Sequence, residues 1–377
     1  MCAVLAVLSG CASAGAATNL VDAGSKEASK AADTGVGDAG GCGSLTSCSG
    51  HCVDIESDDD NCGGCGLSCP GGCKAGECMT VLATVNGYAL PWGVAIDSTS
   101  IYWTNSQSGV GSAGSLMEVG LAGGLVTTLA TGENPQPIAV STSRVYWADD
   151  LTFRLLSIPL GGGTVTTISS TSADGSAGGA SGIAVDALNV YWTGTDTVNQ
   201  APAAGGAVST LASLQDGPTA IAVDATNVYW TTASTIATIG LAGGTSTTLA
   251  SGQSFPMGIA VDSASVYWIN AGTSINDNTD GSVVRVALGG GAVQTLASGQ
   301  NHPMGVTIDD TNVYWTTMDA VMKIPLDGGT PQTLVSGMGP VGIVLDATSV
   351  YFANDLYSGS GGEEPSGVGT IIKLTPK

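Results

Sequence analysis

The chain has 377 residues, 57 of them glycine, yet 43% are hydrophobic and the mean hydropathy is positive, a balance that excludes wholesale disorder and points to many short strands joined by tight turns. Nine Lys and Arg stand against 31 Asp and Glu, a formal charge of −22, so phosphate backbones are repelled and nucleic acid is excluded as a partner. Such acidity suits solubility outside the cell.

Ala3 to Leu8 form an apolar run that ends in Leu8-Ser9-Gly10-Cys11. An apolar stretch followed by small residues and a cysteine fits an export signal, in which the small residues admit the peptidase and the thiol carries the lipid. The segment resembles the lipobox of bacterial lipoproteins. That resemblance implies that residues 1–11 are a signal and that Cys11 becomes the lipidated first residue, attached to the membrane. With Ala12 and Ser13 following and no aspartate beside Cys11, it also implies sorting to the outer membrane of the cell envelope. No basic region precedes Ala3, which would place the translation start upstream of Met1. No other stretch reaches the roughly 18 apolar residues of a membrane span. Residues 12–41, rich in Ala, Gly, Ser, Thr and Asp without hydrophobic period, read as a flexible tether.

Residues 42–78 hold Cys42, Cys48, Cys52, Cys62, Cys65, Cys69, Cys73 and Cys78, and no cysteine follows. An even, dense set of this kind staples a module too small to bury its own core, so four disulfides and an oxidising compartment are expected. Cys62-x-x-Cys65 alone would also fit a zinc knuckle or redox pair, and the spacing leaves the connectivity open. The segment resembles short cysteine-rich stretches near the N-termini of myxobacterial lipoproteins, a likeness that assigns no activity. Glu56, Asp58, Asp59, Asp60 and Asn61 offer hard oxygens, but without the order of a calcium loop they read as a solvated acidic loop.

From residue 79 to 377 one pattern recurs: I-Y-W-T-N at Ile101, then V-Y-W-A-D, V-Y-W-T-G, V-Y-W-T-T, V-Y-W-I-N, V-Y-W-T-T and V-Y-F-A-N at Val145, Val190, Val228, Val266, Val313 and Val350. The Tyr-to-Tyr steps of 44, 45, 38, 38, 47 and 37 residues match the period of a four-stranded propeller blade. Each copy reads as four strands, with Gly-Gly steps at Gly123, Gly205, Gly243 and Gly328 suited to hairpins. The first turn opens on Asp97, Asp186, Asp224, Asp262, Asp309 or Asp346, and on Ser141 in the remaining copy. An aspartate there caps its own turn, so these carboxylates are read as scaffold, and the Tyr-Trp pairs as blade packing. The last copy has three strands, and Met79 to Thr84 supplies the fourth, so the ring closes without an open edge. The fold class expected is all-β: a seven-bladed propeller closed by an N-terminal strand, preceded by a small disulfide-rich module.

The tetrapeptide resembles the Y-W-T-D repeat of the low-density lipoprotein receptor propellers and, more loosely, NHL-type propellers. It departs from them at the Asp position, kept only at Asp149 and replaced by Asn105, Gly194, Thr232, Asn270, Thr317 and Asn354. Those receptor propellers usually have one blade fewer. The resemblance implies a propeller with a binding role and names no partner.

Binding residues concentrate on long variable loops of a rigid scaffold, here 105–114, 270–281 and 354–369. With the blade-to-blade entry loops they would form one ligand face holding Trp92, Asp149, Asp150, Asp196, Phe255, Asp277, His302, Asp319 and Asp355, joined by Asp280, Glu363 and Glu364; Met257 and Met304 would sit at the channel mouth. Asn276, Asn278 and Asp280 alternate before Gly281 like half a calcium loop, but Ala287 stands where the closing glutamate belongs; calcium is the one cofactor the chain suggests. The chain has two histidines, His51 and His302, and lacks G-x-S-x-G and H-E-x-x-H patterns, so catalysis is poorly supported. The leading reading is a monomeric, lipid-anchored, extracytoplasmic protein that binds a protein or polysaccharide through one propeller face. A calcium-dependent hydrolase or lyase and a structural surface spacer are the alternatives.

Overall fold

The computed structural model describes residues 45–48, 51–63, 65–66, 68–69, 72–74, 76–86, 89–107, 114–149, 152–170, 180–272, 279–355, 368–375 and 377. The chain divides into Met1–Gly41, which lies outside the described residues together with Cys11, and Cys42–Lys377. The regular elements described are all β-strands: a hairpin of Thr46–Cys48 with His51–Val53, and seven antiparallel sheets. The chain is therefore a seven-bladed propeller, as the repeat count predicts. Blade 1 pairs Ala89–Ile96, Ser100–Gln107, Gly114–Gly120 and Thr127–Glu133 in that order. Blades 2 to 7 begin at Pro135–Val140, Ile183–Val185, Ile221–Val223, Pro256–Val261, Val306–Ile308 and Pro340–Leu345. These innermost strands pack side by side around the ring, the last against the first.

The second strand of each blade carries the Val-Tyr-Trp motif because it is buried on both faces, and period-two geometry sends alternate residues to opposite neighbours. Ile101 and Trp103 meet Tyr351 of the preceding blade, while Tyr102 meets Val145 and Trp147 of the next. The same trio fills every other seam, from Tyr146 with Val190 and Trp192 to Tyr314 with Val350 and Phe352. Each fully buried aromatic contributes about 4–6 kcal/mol of transfer free energy as an upper bound. The cores lie between blades, so no blade has one of its own.

Two further contacts bind the seams. At the rim, the register between third and fourth strands slips in every blade, and the unpaired residue is Leu82, Leu129, Ile168, Leu211, Leu249, Leu296 or Leu334. The bulge re-aims that side chain and twists the exposed edge away from further pairing. Its tip covers a glycine in the next blade's third-to-fourth turn: a β-carbon at Gly123 would lie 4.0 Å from Leu82, and Leu129, Ile168, Leu211, Leu249 and Leu296 repeat the contact on Gly162, Gly205, Gly243, Gly290 and Gly328. Near the channel, Thr104 accepts the Gly93 amide at 3.0 Å and donates to the Gln136 carbonyl of the next blade at 2.7 Å. Thr193, Thr231 and Thr316 do likewise. A β-carbon at Gly93 or Gly342 would stand only 2.6 or 2.8 Å from the next blade's backbone oxygen, so glycine is what lets the ring draw tight.

Blade 7 adds Val350–Asp355 and Val368–Thr375, then the N-terminal Glu77–Asn86, and outside it a fifth strand, Cys73–Lys74. Closure by an N-terminal strand is as predicted; the fifth strand is not, because two residues show no periodicity. The closing strand runs across the boundary expected between Cys78 and Met79. Disulfides join Cys48 to Cys65, Cys62 to Cys73 and Cys69 to Cys78, with Cα separations of 5.3, 5.4 and 5.3 Å. Cys52 is also disulfide-bonded, and Cys42 lies outside the described residues. The described cysteines are thus structural bridges rather than a zinc knuckle, and disulfides of this density belong to an oxidising, extracytoplasmic compartment.

Candidate functional site

Alternating strand direction gives the ring two faces. One carries the first-to-second and third-to-fourth turns; the other carries the second-to-third loops and the blade-to-blade entry loops. On the turn face, Asp97 Oδ1 accepts the amides of Thr99 and Ser100 at 2.7 and 2.8 Å, and Oδ2 accepts the Tyr102 hydroxyl at 2.9 Å. The Asp186–Tyr191, Asp224–Tyr229, Asp262–Tyr267, Asp309–Tyr314 and Asp346–Tyr351 pairs repeat this. Burial would raise the Asp97 carboxyl, but these donors more than offset it and hold it below the usual value. Burial, and then the facing carboxylate, push Tyr191 and Tyr229 up to about 12. In blade 2, where Ser141 replaces the aspartate, Tyr146 donates instead to the Ala203 carbonyl of blade 3 at 2.8 Å. A cleft of about 540 Å³ opens there, lined by Ser141 with Asp97 and Asp186 of the flanking blades, but those two carboxylates already serve their turns and tyrosines.

On the loop face, Trp230, Trp268 and Trp315 donate Nε1–H to Gln215, Gln253 and Gln300 of the preceding entry loop at 3.1, 3.1 and 3.0 Å. Where the tryptophan is Phe352, which has no N–H, the glutamine position holds Met338. The residue at the repeat's Asp position faces its register partner on the third strand: Asn105, Asn270 and Asn354 donate to Ser115, Ser282 and Thr370 at 3.0, 3.2 and 3.2 Å. Asp149 has Arg154 as that partner and is fully buried, with the guanidinium at 3.6 Å, the Asn134 amide at 3.0 Å and the Thr152 hydroxyl on its carboxylate. Thr232 and Thr317 instead cap tight loops.

Among the described residues, four that are not glycine have left-handed backbone, Phe153, Leu214, Phe255 and His302, at φ of 54, 57, 52 and 44°. All four belong to the loop face. Other copies place glycine at the equivalent sites, Gly217 for Phe255 and His302, and Gly252, Gly299 and Gly337 for Leu214, also with positive φ. A bulky residue in this region is strained, yet Leu214, Phe255 and Phe153 are 89, 60 and 47% exposed, so core packing does not explain them. Around the channel mouth the residue before the seam position, which is glycine except for Pro137 in blade 2 and Ala220 in blade 4, is Met257, Met304, Val341 and Trp92 in four successive blades, then Gln136, Ser181 and Thr219. Trp92 is 47% exposed. One arc of the mouth is therefore apolar and the other polar.

The structure places Trp92, Asp196, Phe255, His302, Asp319 and Asp355 on this face, with Asp216 also exposed there. Asp319 accepts from Asn301 and Thr317 at 3.2 and 3.1 Å. The His302 Nδ1 is buried without a hydrogen-bond partner. Asp149 lies beneath the face, inside the fold. Asp150, Asn276, Asp277, Asn278, Glu363 and Glu364 lie outside the described residues; Asp280 is described and exposed. Among the described residues no cluster of three His, Cys, Asp or Glu could hold a metal. Sequence reasoning missed Phe153, Leu214 and Val341; the signal for Leu214 was a leucine aligned with glycines of other copies. Of the six basic residues after Met79, only Arg154 stands on the loop face, and it is paired with Asp149. Arg144 and Arg285 bind Ser157 and the Leu326 carbonyl, and Lys373 and Lys377 bind the Leu121 and Asp346 carbonyls, toward the turn face.

No protein-family model matches the chain, and no curated protein matches it. Among solved structures, the crystal structure of a nidogen/laminin complex is similar at 23% identity and a TM-score of 0.47, over 57% of this chain and 88% of that one.

Proposed function

We propose that the chain is a lipid-anchored, extracytoplasmic binding protein that presents its loop face to a protein partner. Cys11 and the tether of residues 12–41 would hold the propeller at the outer membrane. The observation that carries the reading is the set of strained, exposed apolar residues Phe153, Leu214 and Phe255 on one face, beside the apolar arc of the channel mouth. Strain at an exposed position persists where function retains it, and exposed aromatics on a rigid scaffold are binding anchors. Asp196, Asp216, Asp319 and Asp355 share that face, whose one basic side chain, Arg154, is paired with Asp149, which favours a partner bearing Lys or Arg next to apolar residues.

The test is site-specific photo-crosslinking of the full chain in its own cell envelope, with the photoreactive residue at position 214, at 255, or at Leu188 on the turn face, which is also exposed. Protease-sensitive adducts from 214 and 255 but not from 188 support the reading. Adducts digested by glycosidase would make the partner a polysaccharide. Equal adducts from all three positions, or none, defeat it.

A further inference from the structure

We propose that the cysteine module is the clasp that holds the propeller ring shut, acting through the Cys69–Cys78 bridge and the fifth strand of blade 7. Six seams carry the rim contact of a bulged Leu or Ile on a turn glycine. The seam between blades 6 and 7 has no such turn beneath Leu334, because the third and fourth strands of blade 7, Val368–Thr375 and Glu77–Asn86, come from opposite ends of the ring. Their pairing, from Val368 opposite Asn86 to Thr375 opposite Cys78, must also meet a loop-closure entropy that hairpin-joined strands do not face.

The module sits on the other edge of that same closing strand. Cys73 and Lys74 pair with Cys78 and Glu77, Cys69 is bonded to Cys78, and Cys62 to Cys73. Two bridges thus end in blade 7, whereas Cys48–Cys65 closes within the module. Cys62 and Cys69 are buried, so the closing strand is tied to the interior of the module. The covalent tie stands beside the one seam where the repeat's own contact is missing. Pairing on both edges at Glu77 and Cys78 further closes the free edge at the start of the strand, where peeling would begin.

The test is hydrogen exchange on the full chain in three forms: Cys69→Ala/Cys78→Ala, Cys48→Ala/Cys65→Ala, and wild type treated with a dithiol. The dithiol supplies two electrons and two protons to each bridge, leaving two thiols, and itself closes to a disulfide. In the first variant the amides of Glu77–Asn86 and Val368–Thr375 should exchange about tenfold faster or more. The strands Asn189–Thr193 and Asn227–Thr231 of blades 3 and 4 should keep their protection. The second variant should match wild type in all these strands, and reduction should reproduce the first. If the first variant does not accumulate, the reduced wild type gives the same reading. Wild-type protection of Glu77–Asn86 without the Cys69–Cys78 bridge, or equal loss of protection in all seven blades, overturns the proposal.

Discussion

Each position of the Val-Tyr-Trp-Thr repeat answers to a different partner: Tyr to the turn aspartate, Trp in blades 4 to 6 to an entry-loop glutamine, Thr to the next blade's carbonyl, and Asn or Asp at the fifth position to its register neighbour. Among the described residues, Trp103 and Trp147 keep a buried Nε1–H without a partner. The fifth position explains the lone Asp149, since Arg154 stands where the asparagine blades have Ser or Thr. Asp149→Ala should destabilise by about 1–3 kcal/mol, because the Asn134 amide and Thr152 lose their acceptor. The double change Asp149→Asn/Arg154→Ser, which rebuilds the Asn–Ser pair of blades 1 and 5, should return most of that loss in urea unfolding. Asp97, Asp224, Asp309 and Asp346 are partly buried but held below the ordinary carboxylate value by their donors. The native state then binds fewer protons than the unfolded chain, so stability is full above about pH 4 and falls as pH drops further. Burial raises Glu77, which acts with the opposite sign, but four lowered groups outweigh one. Thermal unfolding between about pH 2 and 7 should show this acid limb, and Asp224→Asn should make it shallower. Phe255→Gly should leave the melting temperature unchanged or raise it, by relief of about 1–2 kcal/mol of left-handed strain, while lowering adduct yield at position 214. A fall in both would mean that Phe255 is scaffold.

At the scale of elements, the threonine-leucine-alanine segment of the fourth strand was legible as alternating β, but its bulge was not. A bulge is visible only once the third strand is laid beside it, and the glycine under the leucine belongs to a different repeat. Leu249→Ala removes such a rim contact and should cost about 2–4 kcal/mol, whereas Leu125→Ala, at a position 87% exposed, should be close to neutral in the same titration. The tryptophan–glutamine bonds span 15 residues and cross a loop, so no local pattern announces them. Their trace in the sequence is partial: Phe352 goes with Met338, but the copies with Trp103, Trp147 and Trp192 hold Asn86, Glu133 and Ser172 at the glutamine position. Gln215→Met should cost about 1–2 kcal/mol through the unpaired Trp230 N–H, and Gln215→Met/Trp230→Phe should recover part of it.

For the whole molecule, seven copies at a blade-like period were enough to predict the ring, its blade number and its closure by an N-terminal strand. The disulfide pairing was not legible, because eight cysteines at these spacings permit many connectivities and only their placement against the closing strand selects among them. The ligand face was legible in part: entry and second-to-third loops could be assigned to one side from strand direction alone, but a carboxylate on such a loop can be exposed, like Asp319, or buried beneath it, like Asp149. With a charge of −22 and no unpaired basic residue on the loop face, the proposed basic partner should bind less well as ionic strength rises. Adduct yield from position 255 at low and high salt measures this.

The amino-acid sequence by itself determined the propeller, since a period of this length with four short strands per copy has no other way to bury its aromatic pairs than between neighbouring blades. It also determined that the turn aspartates are scaffold, because an Asx turn is a local event within three residues. Only the tertiary structure decided what joins one copy to the next: the bulged leucine on a foreign glycine, the threonine bridging two innermost strands, the fifth strand on blade 7, and the strained apolar residues brought to a single face. Those contacts connect residues of different repeats, and a repeated pattern is silent about which of its copies touch.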